Sequence, residues 1–439
     1  MKLDELKTRA DTFMSEAMTK GADEAEVIAK HTVEHRIVFE KNDFQLASSN
    51  TKLTFALEVH KDQRRGSAVT NETSPESLAT SADAALTLAG FSLPDEYLCF
   101  PEAQEHADLP GRFDSDLADL PAAKLREFAG DYLKAGRHAK VSIDGAELQV
   151  TTALEAIVNS RGLHASDQET QINWVLSGMG KTEEEVTSFD WHGGTAWKWV
   201  GAGARSIADA EVFQNKLLRC FGPQKGQSYK GKVLLSPSVL GELIFQPLQF
   251  HISGRQIMDG KSRWENELGK SVANECFSLT DDPFDLDLGG ASPHDAEGVA
   301  TQRMPIIEKG VLKTHMDSTY SAKRRDTKST GHAAGLHGIS VAPGEKSLDE
   351  LMAGVDKLVV VERFSGNLDP VTGDFSGVAK GSHWYENGEY QHPLIETMIA
   401  GNFFEMLKEI VAVSNVADHY MNQWKAPWML VDGISVTAS

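Results

Sequence analysis

Leu3, Leu6, Phe13, Met14 and Met18 fall on one helical face, and Gly21 follows the last of them as a C-terminal stop would. From Glu24 the period shortens to two. Val27, Ala29, His31, Val33, His35, Ile37 and Phe39 alternate with mostly polar residues, which predicts a long half-buried strand. Leu53, Phe55, Leu57 and Val59 repeat the alternation, residues 61–66 supply a charged turn, and residues 77–88 return to helical spacing rich in Ala and Leu. Periodicity is then lost over 93–121, where Pro94, Pro101, Pro110 and Pro121 mark a linker. A helix is predicted over 122–135 and strands over 141–143, 147–151 and 154–159. A tight turn follows at Ser160-Arg161-Gly162, and the alternation resumes over 171–176. After Phe221-Gly222-Pro223, a strand at 232–235 opens a region of short strands and Gly- and Asp-rich loops.

These patterns predict an α+β protein of antiparallel sheets with flanking helices: two N-terminal α+β regions, 1–100 and 101–222, and a β-rich C-terminal domain, 223–439. Within the last region, Asn387-Gly388 stands between Trp384-Tyr385 and Tyr390, a strong signal for a two-residue hairpin turn. Ahead of it, Thr372-Gly373-Asp374-Phe375-Ser376-Gly377 has the composition of an irregular loop with exposed backbone N–H groups. Behind it, Gly401-Asn402 opens a helical pattern with Phe403, Met406, Leu407 and Ile410 on one face.

This order of features resembles the C-terminal domain of the TldD/PmbA family, in particular its PmbA branch, also called TldE. The match runs through Asp374, Ser376, Gly381, Glu386, Asn387, Gly388, Pro393, Glu396, Ala400, Gly401 and Asn402. Asp295-Ala296-Glu297-Gly298 with Thr301-Gln302, followed by a hairpin pattern over 307–312, is similar to a second family segment, and residues 21–27 to a third. The resemblance implies a subunit of a two-chain zinc peptidase acting on unfolded peptides, in proteolysis and peptide maturation; family members have also been named modulators of DNA gyrase. In the TldD branch it implies an H-E-x-x-x-H helix early in the C-terminal domain and a cysteine near the chain end. Here the corresponding stretch, 236–243, holds no histidine, no glutamate follows a histidine anywhere, and no cysteine follows Cys276. The expectation is a non-catalytic subunit without a metal of its own, with zinc held by a TldD-like partner. The alternatives are a homodimeric peptide-sequestering protein and an independent metal-dependent hydrolase. Residues that the family motifs mark for a peptide channel are Asp295, Glu297, Gly298, Gln302, Gly373, Asp374, Ser376, Glu386, Gly401 and Asn402. For Asp295, Glu297, Asp374 and Ser376, loop-capping hydrogen bonds are an equal alternative.

Composition narrows the partners. With 41% hydrophobic and 24% charged residues in 439, the chain reads as an ordinary globular protein. A formal charge of −21 opposes direct nucleic-acid binding, which draws on lysines and arginines to displace counterions. The basic run Lys323-Arg324-Arg325 with Lys328 reads as a solvated loop. Cys99, Cys220 and Cys276 show no C-x-x-C spacing, and no apolar run approaches the roughly 18 residues of a membrane span. A reducing, cytoplasmic setting is expected.

His31-Thr32-Val33-Glu34-His35 fits H-x-x-E-H, yet on a strand the two histidines stand roughly 13 Å apart at about 3.3 Å per residue. His332 and His337 read as loop histidines bonded to backbone, and Asp281, Asp282, Asp285 and Asp287 as a solvated acidic loop. Asp190 and His192 lack a nucleophile in a recognisable motif, and Ser238 lacks the G-x-S-x-G turn.

Overall fold

The structure, a computed structural model, describes residues 1–41 and 43–438. Helix α1 (Leu3–Thr19) buries Leu6, Ala10, Phe13 and Ala17 at helical spacing. It ends where the Gly21 and Ala22 N–H groups bond back to the Met18 and Ala17 carbonyls. Strands β1 (Glu24–Glu40), β2 (Asp43–Lys61) and β3 (Arg64–Thr70) follow, then helix α2 (Pro75–Phe91), capped by Ser74 with Pro75 in its first turn. Beyond residues 93–121 come the helix Ala122–Gly136, strands β4 (Val141–Asn159), β5 (His164–Gly180) and β6 (Asp190–Ala196), and the helix Ala202–Leu218. Among the described residues no helix is long and apolar enough to cross a membrane.

β1 to β6 form one antiparallel sheet in the order β3-β2-β1-β4-β5-β6, so elements of 1–100 and 101–222 share a single sheet rather than two. β1 pairs with β4 from Glu26↔Asn159 to Glu40↔Gly145. The three strands expected within 141–159 are one strand, β4: a bulge between Ile143 and Gly145 shifts its register on β5, and Thr152 interrupts the apolar pattern without interrupting the pairing. The two faces of this sheet differ. Even-numbered residues of β4 and β5 (Leu148, Val150, Ile172, Trp174, Leu176) pack with Phe128, Tyr132 and Phe213 of the covering helices. α1 and α2 cover Val27, Ala29, Phe55 and Leu57 farther along. Each fully buried Val, Leu, Ile or Phe among them contributes about 1.5–3 kcal/mol. The odd-numbered polar positions Glu147, Gln149, Thr151 and Glu155 of β4 and Asp167, Glu169, Gln171 and Asn173 of β5 point the other way, at the C-terminal region. His31 and His35 lie in β1, a strand, as their spacing required.

The C-terminal region is built on a second, fourteen-stranded mixed sheet among the described residues. Its centre is the long strand Trp424–Ala438, which pairs antiparallel with Tyr229–Leu235, Thr397–Asn402 and Ile410–Tyr420. After Tyr229–Leu235 the chain turns into a helical run, Pro237–Leu240, a wide π turn at Gly241–Phe245, and Gln246–Ile252, which buries Leu240, Leu243, Ile244, Leu248 and Ile252 in the main core. The Asn387-Gly388 hairpin is present between His383–Glu386 and Glu389–Ile395, with φ of 50° and 81° at the two turn residues. Asn402 caps the helix Phe403–Lys408, accepting from the Phe404 and Glu405 N–H groups. The expected irregular loop before the hairpin ends early: Asp374–Lys380 is a strand, paired on both sides with Arg363–Leu368 and Thr397–Asn402.

The segment 93–121 is a strap rather than a loose linker. It runs between the polar sheet face and the C-terminal loops, stacking Phe100 on His60 at 4.1 Å. The Pro101 carbonyl accepts from Asn159 and the Gln104 Oε1 from the Ala300 N–H. Arg112, Asp167 and Glu169 form an ion triad with the guanidinium 5.0 Å from the Trp197 ring. The basic run reaches the same strap through Lys323, which donates to the Leu98 carbonyl, while Arg325 pairs with Asp317 of its own region.

Candidate functional site

Between the polar face of the sheet and the C-terminal loops lies a groove with two cavities that meet at His337. The first, about 470 Å³, is walled by Glu147, Gln149, Gln171 and Asn173 of β4 and β5, by Thr195 of β6, and by Gly289, Gly290, Asn422 and Gln423 from the other side. The second, about 400 Å³, continues along the same strands past Thr151, Glu155, Asp167 and Glu169 and is closed by Lys30, Arg112, Ser292, His294 and Asp295. The walls are held in place by direct bonds. Asn422 accepts from the Thr195 N–H at 3.2 Å and donates to the Asp287 carbonyl at 3.0 Å. Gln171 donates to the Gly289 carbonyl at 3.2 Å, and the Trp197 indole to Leu288 at 3.1 Å. Side-chain amides carry both donors and acceptors, so the first cavity can hydrogen-bond a main chain of any sequence.

The family-motif residues fall in three separate places. Asp295 alone lines the groove, and its carboxylate accepts from the Glu297, Val299 and Ala333 N–H groups. Glu297 accepts from the Thr319 N–H at 2.7 Å, and burial raises its carboxyl above the usual range. Gly298 presses on the sheet, where a Cβ would sit 2.7 Å from Leu163 Cδ2. Gln302 is exposed. Asp374, Ser376, Gly401 and Asn402 lie together on neighbouring strands elsewhere, with Gly373 just before the first of them, tied by Asn402 donating to the Thr372 carbonyl and to Asp374. Glu386 stands apart on the hairpin, accepting from the Trp384 indole.

Two expectations about acids and histidines divide. His332 is fully buried, its Nε2 2.9 Å from Asp281 Oδ2 and its Nδ1 2.8 Å from the Thr330 carbonyl, and His337 contacts the Gly331 carbonyl. Asp281 is not part of a solvated loop: it is fully buried and also accepts from the His337 and Gly338 N–H groups. Asp282 pairs with Arg303, and Asp285 and Asp287 with Lys425. Next to the groove, burial pushes the Glu26 carboxyl up to about 8 against the opposing bond from Asn159; Glu58, Glu297 and Asp295 add like charge.

Comparison with known proteins places this architecture. The PmbA/TldA metallopeptidase C-terminal domain matches residues 228–438 and the PmbA/TldA metallopeptidase domain 1 matches residues 25–89. The chain belongs to the PmbA/TldE family. It is 28% identical over 427 residues to the metalloprotease PmbA homolog of Haemophilus influenzae, covering 94% of this chain and 92% of that protein. It is 27% identical over 412 residues to the metalloprotease PmbA of Escherichia coli O157:H7, with 90% and 88% covered. TldE from Thermococcus kodakarensis shares the fold, with a TM-score of 0.88 at 21% identity over 98% of this chain and 100% of that one.

The family's description as a metallopeptidase raises a catalytic metal, and the residues of this PmbA/TldE chain do not fit one. Among the described residues no three His, Cys, Asp or Glu side chains converge as a metal site. At the π turn, Gly241 lies under the Trp424 indole, where a Cβ would be 2.5 Å from the ring. Leu243 and Ile244 point into the core. That leaves Glu242 as the one carboxylate within 236–243. Partial burial raises its carboxyl, opposed by the charge of Arg363, whose guanidinium lies 5.2 Å from the Trp191 ring. A fixed cation beside a single carboxylate repels a divalent metal.

Proposed function

We propose that this chain is the peptide-holding, non-catalytic subunit of a TldD/TldE-type metallopeptidase, binding an unfolded peptide in the groove while a TldD-like partner subunit supplies zinc. The observation that carries the reading is the groove itself, whose amide-lined wall can engage main chain without reading sequence. Glu242 beside Arg363, in place of a histidine-bearing helix, supports assigning the metal to the partner. Zinc bound there would polarise the scissile carbonyl and activate water; the residues here would hold and align the peptide.

The test is reconstitution. This chain and a TldD-type chain are assayed separately and mixed, with an unfolded peptide as substrate and zinc measured in each. The mixture is expected to cleave faster than the TldD-type chain alone, and this chain alone to be inactive. No acceleration, or cleavage by this chain alone with one tightly held zinc, overturns the reading.

A further inference from the structure

We infer that the free edge of β2 is a self-association surface, pairing antiparallel with the same edge of a second copy of this chain about a two-fold axis at Ser48. The inference goes beyond the peptide-holding reading and does not depend on it.

β2 runs from Asp43 to Lys61, but β3 covers only its second half, pairing with Phe55–Lys61. Over 43–54 the strand has β1 on one side and, among the described residues, no strand on the other. One antiparallel neighbour takes up only alternate N–H and C=O groups, so the others along this stretch face outward. Residues 43–52 are exposed at every position. Successive side chains of a strand point to opposite faces, so neither face of the stretch is covered. Phe44 and Leu46 are left 53% and 44% exposed. An exposed edge of this length is ordinarily blunted by charge, proline or a bulge. Residues 44–51 carry no charge and no proline. The one bulge, at Gln45 between the pairs Val38↔Leu46 and Phe39↔Phe44, lies near the hairpin end and leaves the rest of the edge regular.

Charge names a second copy as the occupant. The neutral run is bracketed by Asp43 and Lys52, opposite in sign, and among the described residues neither has an ion-pair partner. Asp43 stands opposite Glu40 and Lys52 opposite Thr32, both even-numbered positions of β1, so the two side chains project from the same face. Facing Glu40, Asp43 forms a like-charge cross-strand pair that a lysine on its other side relieves. Antiparallel pairing about Ser48 sets Leu46 against Asn50 and, beyond the bulge, Phe44 against Thr51 and Asp43 of one copy against Lys52 of the other. An opposite-charge pair then closes each end of the joined strands. The two-fold uses up the edge on both copies, so the assembly stops at two chains.

The test is sedimentation of the full chain over a concentration series. A species of two chains is expected to form as concentration rises. Lys52→Asp sets like charges at both ends of the joined strands and should weaken that species about tenfold, and Asp43→Lys should do the same. The double variant, Asp43→Lys with Lys52→Asp, restores opposite charges at both ends and should return the dissociation constant to the wild-type value. Hydrogen exchange needs no variant: amides of 43–52 should slow as the protein concentration rises. A chain that stays monomeric throughout, a two-chain species indifferent to the single reversals, or a double variant as weak as the singles overturns the inference. So does slow exchange over 43–52 that appears only when a TldD-type chain or an unfolded peptide is added, which assigns the edge to that occupant instead.

Discussion

Glu26 offers a direct measure of how closely the C-terminal loops are pressed against the N-terminal sheet. Its side chain is buried beside Asn159, and Glu58, Glu297 and Asp295 surround it with negative charge. Burial first, and then those acids, raise its carboxyl from an ordinary 4.5 to about 8. A carboxyl raised on folding binds its proton more tightly in the native state. Its contribution to stability is therefore complete below the unfolded value and is lost as pH rises through the folded one. The loss accrues at about 1.4 kcal/mol per pH unit between those limits, so it reaches at most about 5 kcal/mol near pH 8. Glu26→Gln removes the titration while keeping an acceptor for the Asn159 amide. Urea unfolding of both proteins from pH 5 to pH 9 should give curves that diverge, with the variant gaining on the wild type by about 1 kcal/mol or more per unit toward pH 8. Parallel curves would refute the reasoning, because Glu26 would then ionise in the folded protein as freely as in the unfolded chain.

Arg112→Met strips the cation from Asp167 and Glu169 and should cost about 3 kcal/mol of unfolding free energy, read by urea titration. A cost under 0.5 kcal/mol would show the triad to be solvent-screened. Asn402→Ala should lose about 1 kcal/mol, the worth of its helix cap, with peptide affinity unchanged. A loss of affinity without a loss of stability would instead make Asn402 part of the binding surface.

The sequence carries legible signals where the decisive contacts are local. The Asn387-Gly388 turn, the helix after Asn402, the stop at Gly21 and the alternation of β1 each depend on residues within a few positions. The pairing of β1 with β4 joins residues more than a hundred positions apart, and nothing in either strand alone names the other. Residues 372–377 have a loop's composition of glycines and short polar side chains, yet from Asp374 onward neighbouring strands on both sides supply the hydrogen bonds. The groove was hidden for a different reason. Glu147, Gln149, Gln171 and Asn173 sit at alternate positions as any solvent-facing strand residues do, and only the docking of residues 287–296 and 421–423 turns that face into a wall. Asp281 carries a charge that normally marks a surface, whereas here His332 and two backbone N–H groups satisfy a fully buried carboxylate.

The most direct test of the account is where a peptide touches the chain. An unfolded peptide carrying a benzophenone side chain, bound and irradiated, should crosslink to β4 and β5 at the positions facing the C-terminal loops, or to residues 289–296 and 421–423, as mapped by mass spectrometry. Crosslinks confined to the helix-covered side, or to the strands around Asp374 and Asn402, would contradict the assignment of the groove as the peptide site.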